Sequence, residues 1–204
     1  MVRDVARRIR RREDAGLTLI EVMVAMTIFS VVVGFIYAAL ITVSKQTRDI
    51  QGRDENVGQA RIALDQMDAQ IRSGNVLFDP AAETLPMSMR IYTQSNGNQR
   101  CVQWQIVQAT GLLRMRSWST SWQTDGLVTG WSTVARSVTN KSTDAVQPFT
   151  LEGGATAYGS RLVDITIKVK DPRSSKDITL QTSLSGRNTE YGYDAGVCSP
   201  TPSP

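Results

Sequence analysis

The feature that most constrains this 204-residue chain is an apolar run that extends from Leu17 to Val43. A helix rises about 1.5 Å per residue, so a helix over this run is roughly 40 Å long. The hydrocarbon core of a bilayer is about 30 Å thick, and the run is therefore long enough to cross it. The polar residues inside the run are Thr18, Glu21, Thr27, Ser30 and Thr42.

A basic segment precedes the apolar run. Residues 1–16 contain six arginines and three acidic residues, so their net charge is +3. Positive residues beside a membrane span favour the cytoplasmic side. The sequence therefore predicts that residues 1–16 stay in the cytoplasm and that the chain after Val43 is exported.

Three general explanations of this N-terminal region fit it less well. A secretory signal has an apolar run of about 7 to 15 residues, which is shorter than Leu17–Val43. A twin-arginine signal fits poorly because no apolar stretch directly follows the arginine pairs. A plain single-pass anchor fits the length but leaves Glu21 unexplained, since a carboxylate inside a span costs roughly 2.5–3.5 kcal/mol on insertion scales.

The residues from Gly16 to Val22, Gly-Leu-Thr-Leu-Ile-Glu-Val, resemble the class III leader junction of type IV prepilins and type II secretion pseudopilins. In that family a membrane peptidase cuts after the glycine and methylates the new terminal amine. The resemblance implies that residues 1–16 are a removable leader and that cleavage falls between Gly16 and Leu17. Leu17 would become the methylated N-terminus, in place of the phenylalanine that the family more often carries.

The resemblance also identifies Glu21 as the helix carboxylate of the family. Its charge would attract the terminal amine of a neighbouring subunit, because opposite charges interact more strongly in a low-dielectric setting than in water. We interpret Glu21 as a group that sets register, since it is satisfied only when neighbouring helices stagger correctly.

The helix is expected to continue beyond the span as an amphipathic segment over residues 44–74. Apolar residues recur there at helical spacing, and charged residues occupy the other faces. The apolar stripe consists of Ile50, Val57, Ala60, Leu64, Met67 and Ile71. We expect the stripe to pack on a sheet of the same chain; a coiled-coil partner is the alternative. Gly74 is the predicted end of the helix.

From about Met87 the pattern changes from helical to alternating, which is typical of antiparallel strands. The predicted strands are Met87–Thr93, Arg100–Gln108, Leu112–Trp118, Arg161–Lys170 and Ile178–Leu184. Turn residues around Gly97 and at Asp171 predict hairpins between the first two and between the last two strands. Residues 117–132 are rich in small polar residues and are expected to form a loop or irregular strands.

These patterns and the resemblance together predict an α+β, pilin-like fold. A long N-terminal helix, transmembrane over residues 17–43 and amphipathic over 44–74, would pack on an antiparallel β-sheet head over residues 75–190. Residues 191–204 are small, polar and rich in proline, so we expect a flexible C-terminal tail there.

Cys101 and Cys198 are the two cysteines of the chain, and both lie in the part that is expected to be exported. An oxidising compartment allows them to pair, and the bond would tie the C-terminal segment to a central strand. Pilins often fix their C-terminal region in this way. The resemblance therefore favours the disulfide over the alternative of two unpaired thiols.

Four tryptophans lie in the middle third of the chain. Trp104 alternates with aliphatic residues of a predicted strand and is expected in the core. Trp118, Trp122 and Trp131 lie among small polar residues, so two interpretations stay open. They form an exposed contact surface, or they cover the edge of the sheet.

The composition argues against catalysis. The chain has no histidine, which excludes histidine-based triads and histidine metal sites, and two distant cysteines do not make a zinc cluster. We expect no cofactor and no metal; calcium binding near Asp171 and Asp177 stays open, because their spacing is not diagnostic. The net charge of +4 comes mostly from residues 1–16, so nucleic acid is not an expected partner.

These observations predict a minor pilin or pseudopilin of the W-type or J-type, a non-enzymatic subunit of a type IV pilus or type II secretion-like filament, in a tip or priming complex. Its partners would be other pilin subunits, prepilin peptidase, an assembly platform membrane protein and, before assembly, the lipid bilayer. The precursor would lie in the bacterial inner membrane with its head exported, and the filament would be periplasmic or extracellular. The alternative is a membrane-anchored extracellular adhesin or ligand-binding module.

Overall fold

The computed structural model describes residues 18–94, 97–153, 161–174, 176–186 and 196–203. Helix α1 covers Leu19–Arg72, so the apolar run continues into the amphipathic segment without a break. The chain divides into two compact units, an N-terminal unit over Met1–Arg48 and a C-terminal unit over Asp49–Pro204. The boundary between the units falls inside α1.

The C-terminal end of α1 leads directly into the first strand. The Ser73 hydroxyl donates to the Ala69 carbonyl at 2.6 Å, which satisfies one of the last carbonyls of the helix. The strand begins at Gly74, where a Cβ would lie 2.9 Å from the Ile71 carbonyl oxygen. A glycine therefore lets the chain pass this closely to the helix end, as expected for the predicted stop.

Within the described residues, eight strands form two antiparallel sheets. The first sheet has the order β1-β2-β3-β4-β5, with the strands Gly74–Leu77, Ser88–Thr93, Arg100–Val107, Leu112–Trp118 and Ser132–Ala135. The second has the order β6-β7-β8, with the strands Phe149–Leu151, Leu162–Val169 and Ile178–Ser185. The connections contain a 3-10 helix at Pro80–Ala82 and a one-turn helix, α2, at Trp122–Asp125.

Both predicted hairpins are present. β2 pairs with β3 so that Ile91 opposes Val102, and β7 pairs with β8 so that Ile167 opposes Leu180. Side chains alternate between the two faces of a strand, so these registers place aliphatic residues of both strands on the same face. Gly97, in the first connection, has a φ of +79°, a conformation that glycine adopts without strain.

Residues 137–140 join the two sheets along the edge of β7. The Val138 N–H donates to the Gly111 carbonyl, next to β4, at 2.9 Å, and Val138 also forms an isolated bridge with Val169 in β7. The buried side-chain amide of Asn140 bonds the backbone of β7 as donor and as acceptor, at 2.9 and 2.8 Å. The two sheets therefore share one connecting segment.

One hydrophobic core lies between α1 and the sheets. The stripe residues that enter it are Ala60, Met67 and Ile71, which are fully buried, with Val57 and Leu64 packed at its margin. This packing confirms the α+β prediction of a long helix on an antiparallel sheet head. Ile50 is an exception, because it is 43% exposed and the buried stripe begins after it.

Three short strands are absent from the sequence prediction. β1, β5 and β6 contain four, four and three residues, and such lengths show no clear alternation. Residues 117–132, expected to form a loop or irregular strands, contain α2 and an isolated bridge between Trp118 and Val128. The short strands β1, β5 and β6 form because the longer strands β2, β4 and β7 offer them a free edge. A local sequence pattern does not reveal such an edge.

The expected flexible tail over residues 191–204 requires correction for residues 196–203. This segment, the strap, lies against the C-terminal unit, with Cys198 and Pro202 buried. Its composition suggested disorder, whereas its backbone carbonyls find hydrogen-bond donors on the sheet and its loops. Residues 191–195 lie outside the described residues.

Candidate functional site

The N-terminal junction is described from Thr18 onward, and Gly16 and Leu17 lie outside the described residues. Thr18 accepts a hydrogen bond from the Glu21 N–H through its carbonyl at 3.0 Å and through its hydroxyl at 3.4 Å. Thr18 thus caps α1, since its oxygens satisfy an N–H of the first turn. Glu21 lies in this first turn, where a negative charge interacts favourably with the helix dipole.

The other polar residues of the apolar run satisfy their side chains within the helix. Thr27, Ser30 and Thr42 each donate to a backbone carbonyl three or four residues earlier, at 2.8 to 2.9 Å. A hydroxyl that is bonded in this way adds little cost in an apolar medium. These residues are therefore compatible with lipid.

Glu21 differs from these residues. It is the only charged residue between Leu19 and Val43. Among the described residues, its carboxylate has neither an ion pair nor a hydrogen bond. It shares a helix face with Ala25 and Phe29. Glu21 is therefore a charge on an apolar surface to which the described part of the chain offers no partner.

The apolar surface around Glu21 is exposed. Phe29 and Phe35 are 69% and 73% exposed, although aromatic rings of this size are normally buried. In the part of the chain that the structure describes, α1 is the helix that is long and apolar enough to cross a membrane. A surface of this size requires lipid or another apolar surface against it.

A second polar group of residues lies on the outer face, the face of the five-stranded sheet that points away from α1. The strand registers place Arg90, Gln103 and Arg116 side by side on β2, β3 and β4. The Gln103 side-chain oxygen accepts two hydrogen bonds from the Arg116 guanidinium, at 3.0 and 2.8 Å. Arg116 is 3% exposed, so this polar row is covered and not solvated.

Cys101 and Cys198 form a disulfide bond, which confirms the predicted pair. Cys101 lies in β3, the middle strand of the five, so the bond attaches the strap to the centre of the sheet. Both cysteines are buried in a small cluster with Tyr92 and Trp118 on the outer face. The bond therefore holds the strap on the outer face, next to the polar row.

The strap also binds the outer face through its backbone. Three side chains of the sheet and its loops donate hydrogen bonds to strap carbonyls. The pairs are Arg90 with Cys198, Trp122 with Pro200, and Arg116 with Pro202 and Ser203, at 3.2, 2.9, 2.9 and 2.7 Å. The strap has no helix or strand of its own, so these carbonyls are free to accept.

Of the three tryptophans considered as a contact surface, Trp118 is buried, whereas Trp122 and Trp131 are partly exposed. Trp118 is 2% exposed, and the Trp122 indole is bonded to the strap. The Trp131 ring lies against the guanidinium groups of Arg114 and Arg116, 4.2 and 4.5 Å from its centroid. Cation–π contacts of this kind hold the ring on the sheet. The arrangement agrees with the alternative, in which the tryptophans cover the sheet.

Glu83 is a buried carboxylate of the outer face. Its side chain is 1% exposed and lies 3.1 Å from the Arg90 guanidinium. Burial raises the pKa of Glu83, and the charge and hydrogen bond of Arg90 and a hydrogen bond from Gln103 oppose the rise. Burial also lowers the pKa of Arg116, and the neighbouring charge of Arg114 adds to this effect. The outer face is therefore a desolvated network of charges and amides.

Within the described residues, no group of three or more His, Cys, Asp or Glu side chains is placed to hold a metal ion. The Asp171 carboxylate accepts the Arg173 N–H at 2.9 Å and so forms part of a turn. Asp177, the second carboxylate considered for calcium, lies directly before β8.

Sequence reasoning did not identify the polar row of Arg90, Gln103 and Arg116. A signal was present, because Arg90 and Gln103 each lie between two apolar residues of a predicted strand. Such alternation ordinarily indicates a face in water. The pattern does not reveal that a distant segment of the chain covers that face.

Residues 11–37 match the family described as the prokaryotic N-terminal methylation motif. The match includes the predicted junction at Gly16 and Leu17, the carboxylate of Glu21 and most of the apolar run. No curated protein and no solved structure matches the chain. The similarity to known proteins therefore falls on the N-terminal junction.

Proposed function

We propose that this chain, which carries the N-terminal methylation motif of type IV pilins and pseudopilins, is a minor, non-enzymatic subunit of a type IV pilus or type II secretion-like filament. The motif marks a pilin-type precursor. The proposal rests on two features that occur together at the N-terminal junction. A methylation motif over residues 11–37 overlaps the exposed apolar run, whose single charge, Glu21, has no partner among the described residues.

The first step of the proposed mechanism is processing. Prepilin peptidase cuts between Gly16 and Leu17 on the cytoplasmic side and methylates the amine of Leu17. Glycine suits the cut because it presents no side chain to obstruct the peptidase. Cleavage ahead of the apolar run keeps the whole hydrophobic helix in the mature subunit, so the anchor survives processing.

The second step is assembly. Before assembly, the helix over residues 17–43 lies in the inner membrane with the C-terminal unit exported. An assembly platform membrane protein then transfers it into a bundle of similar helices from other pilin subunits. In that bundle the Glu21 carboxylate meets the terminal amine of a neighbouring subunit, and the pairing is strong because the surroundings have a low dielectric constant.

The apolar surface of α1 supports this sequence of events. It fits lipid before assembly and fits the apolar helices of neighbouring subunits afterwards, so the same surface serves both states. Glu21 makes the two states differ in free energy, because an ionised carboxylate is costly in lipid and is compensated when it has a partner. The paired state is therefore favoured over the monomer in the membrane.

We assign the chain to the W-type minor pilins or the J-type minor pseudopilins. The size of the sheet region and the Ser-Gly-Arg-Asn segment that begins at Ser185 support this assignment. A subunit of this class would act in a tip or priming complex at the start of a filament. Its activity would be assembly, with no reaction of its own.

The mature N-terminus provides the first test. Intact-mass and peptide mass spectrometry of the chain from its native cell should find an N-methylated Leu17 as the first residue. A chain that retains Met1 while it functions normally would contradict the proposal. That result would favour the second candidate, an anchored surface adhesin or ligand-binding module with an unprocessed junction.

A substitution of Glu21 provides the second test. Glu21→Ala should leave membrane insertion and cleavage intact, because the apolar run is unchanged, and should reduce incorporation into filaments at least tenfold. Asp54→Ala is the matched control, since Asp54 is an exposed acidic residue of the same helix outside the apolar run. Immunoblots of purified filaments and of membranes measure the two quantities. Normal incorporation of the Glu21 variant would rule out the proposed role of this carboxylate.

A further inference from the structure

Apart from the Cys198 disulfide, the strap contacts the outer face mainly through its backbone. Four of the hydrogen bonds that Arg90, Trp122 and Arg116 donate to the strap, all of 3.2 Å or less, end on its backbone carbonyls. One longer contact, 3.5 Å from Arg90, ends on the Ser199 hydroxyl. The carbonyls of Cys198, Pro200 and Pro202 belong to alternate residues. The outer face therefore presents a row of donors that is spaced for the main chain of a peptide.

The prolines of the strap fit this kind of recognition. Proline has no N–H, so Pro200 and Pro202 bring carbonyl acceptors to the face without adding donors that would need partners. Pro202 is buried on the face although it lies in a segment without regular structure. The chemistry of the face thus favours a proline-rich segment.

The face needs an occupant. Arg116 is buried without a carboxylate in hydrogen-bond contact among the described residues, and its acceptors are the Gln103 side-chain oxygen and two strap carbonyls. Removal of the strap would leave this guanidinium with one of its three acceptor groups. A buried cation that has lost acceptors is costly, so an open face would bind another carbonyl-rich segment.

A single covalent bond keeps the strap in place. When a dithiol reductant supplies two electrons and two protons, the Cys101–Cys198 bond breaks into two thiols and the reductant becomes a disulfide. The strap is then held by hydrogen bonds and packing alone. Cys101 is fully buried, so its thiol becomes accessible only when the strap leaves the face.

We propose that the outer face is a peptide-binding site, which residues 198–203 occupy in the oxidised protein and which opens to a proline-rich peptide of another molecule when the Cys101–Cys198 disulfide is reduced. The donors that recognise the peptide are Arg90, Trp122 and Arg116. This site is separate from the N-terminal junction, so it does not depend on the assembly role proposed above.

Disulfide trapping on the full chain tests the proposal. The Cys198→Ser variant, in detergent micelles, keeps a free thiol at Cys101 and imitates the protein in which the strap has lost its disulfide. The probe is a synthetic peptide with the sequence of residues 196–203, Gly-Val-Cys-Ser-Pro-Thr-Pro-Ser, supplied as its mixed disulfide with 2-mercaptoethanol. The Cys101 thiolate attacks the peptide sulfur, forms a disulfide with the peptide and releases 2-mercaptoethanol.

The comparison peptide has glycine in place of both prolines. At equilibrium in excess 2-mercaptoethanol, we expect intact-mass spectrometry to show at least fivefold more adduct with the proline peptide. Arg116→Gln, in the Cys198→Ser background, should remove this preference. Arg114→Gln should retain it, because Arg114 contacts Gln105 and Trp131 and makes no described contact with the strap.

Trp122→Phe provides a second test, which stays valid if the Arg116 variant does not fold. Trp122 lies in the one-turn helix α2 and packs against the small cluster of Tyr92, Cys101, Trp118 and Cys198. Phenylalanine keeps an aromatic ring there and removes the donor to the strap. It should reduce the preference by at least twofold while the circular dichroism spectrum stays unchanged. Equal adduct with both peptides, or no adduct on a folded chain, would overturn the proposal.

Discussion

Gly111 lies between β3 and β4 with a φ of +63°, and a Cβ there would approach the Val138 carbonyl oxygen to 2.9 Å. Gly126 has a similar φ of +67°, but a Cβ there would meet no atom within 4 Å. Alanine substitutions at the two glycines therefore distinguish the cost of backbone strain from the cost of a steric clash. Gly111 also matters for the junction of the sheets, because its carbonyl accepts the Val138 N–H.

We expect Gly111→Ala to lower the free energy of unfolding by about 2–4 kcal/mol, because strain and a backbone clash add. Gly126→Ala should lower it by only about 1 kcal/mol, the strain alone. Denaturant unfolding of the full chain in detergent micelles, followed by tryptophan fluorescence, measures both values. Equal effects of the two changes would contradict the close contact at Val138.

Glu83 predicts a pH dependence of stability. Its folded-state pKa is raised, first by burial, so the folded protein holds this proton more tightly than the unfolded chain. The contribution of Glu83 to stability is then most favourable below its unfolded pKa and declines as the pH rises through the folded pKa. We expect the stability of the parent chain relative to Glu83→Gln to fall over this range. Unfolding free energies at a series of pH values measure it, and a rise with pH would refute the assignment.

The buried stripe of α1 determines how strongly a substitution on this helix destabilises the protein. Met67→Ala should destabilise the C-terminal unit by about 2–5 kcal/mol, because it leaves a cavity in a fully buried site. Ile62→Ala, on the exposed side of the same helix, should change the stability by less than about 1 kcal/mol. Trp104, which is fully buried as predicted, reports the unfolding through its fluorescence. Similar losses for both variants would contradict the orientation of α1.

Elements were predictable from the sequence where the pattern was long. α1 and the hairpins β2–β3 and β7–β8 have repeating apolar positions over several residues, and burial follows those repeats. β1, β5 and β6 depend on a neighbouring strand for their pairing, so their local residues carry too little information. At the site, the junction at Glu21 and the cysteine pair were recognisable, whereas the covered row at Arg116 required knowledge of a contact between distant segments.

At the scale of the whole molecule, the disulfide closes a loop with a sequence separation of 97 residues. A cross-link of this span removes much conformational freedom from the unfolded chain and is worth about 4–5 kcal/mol in the chain-entropy model. We expect Cys101→Ser combined with Cys198→Ser to lower the unfolding free energy by about this amount. Denaturant unfolding of the double variant and of the oxidised parent measures it, and a loss below about 1 kcal/mol would contradict the estimate.

The attachment of the strap to β3 also determines how the protein responds to pulling. A load on a strand at the border of a sheet separates its hydrogen bonds one after another, as a zipper opens. β3 is paired on both sides, with β2 and with β4, so a force that enters through Cys101 acts on two ladders at once. Tension on the outer surface of this protein is therefore shared across the sheet and does not peel away a single strand.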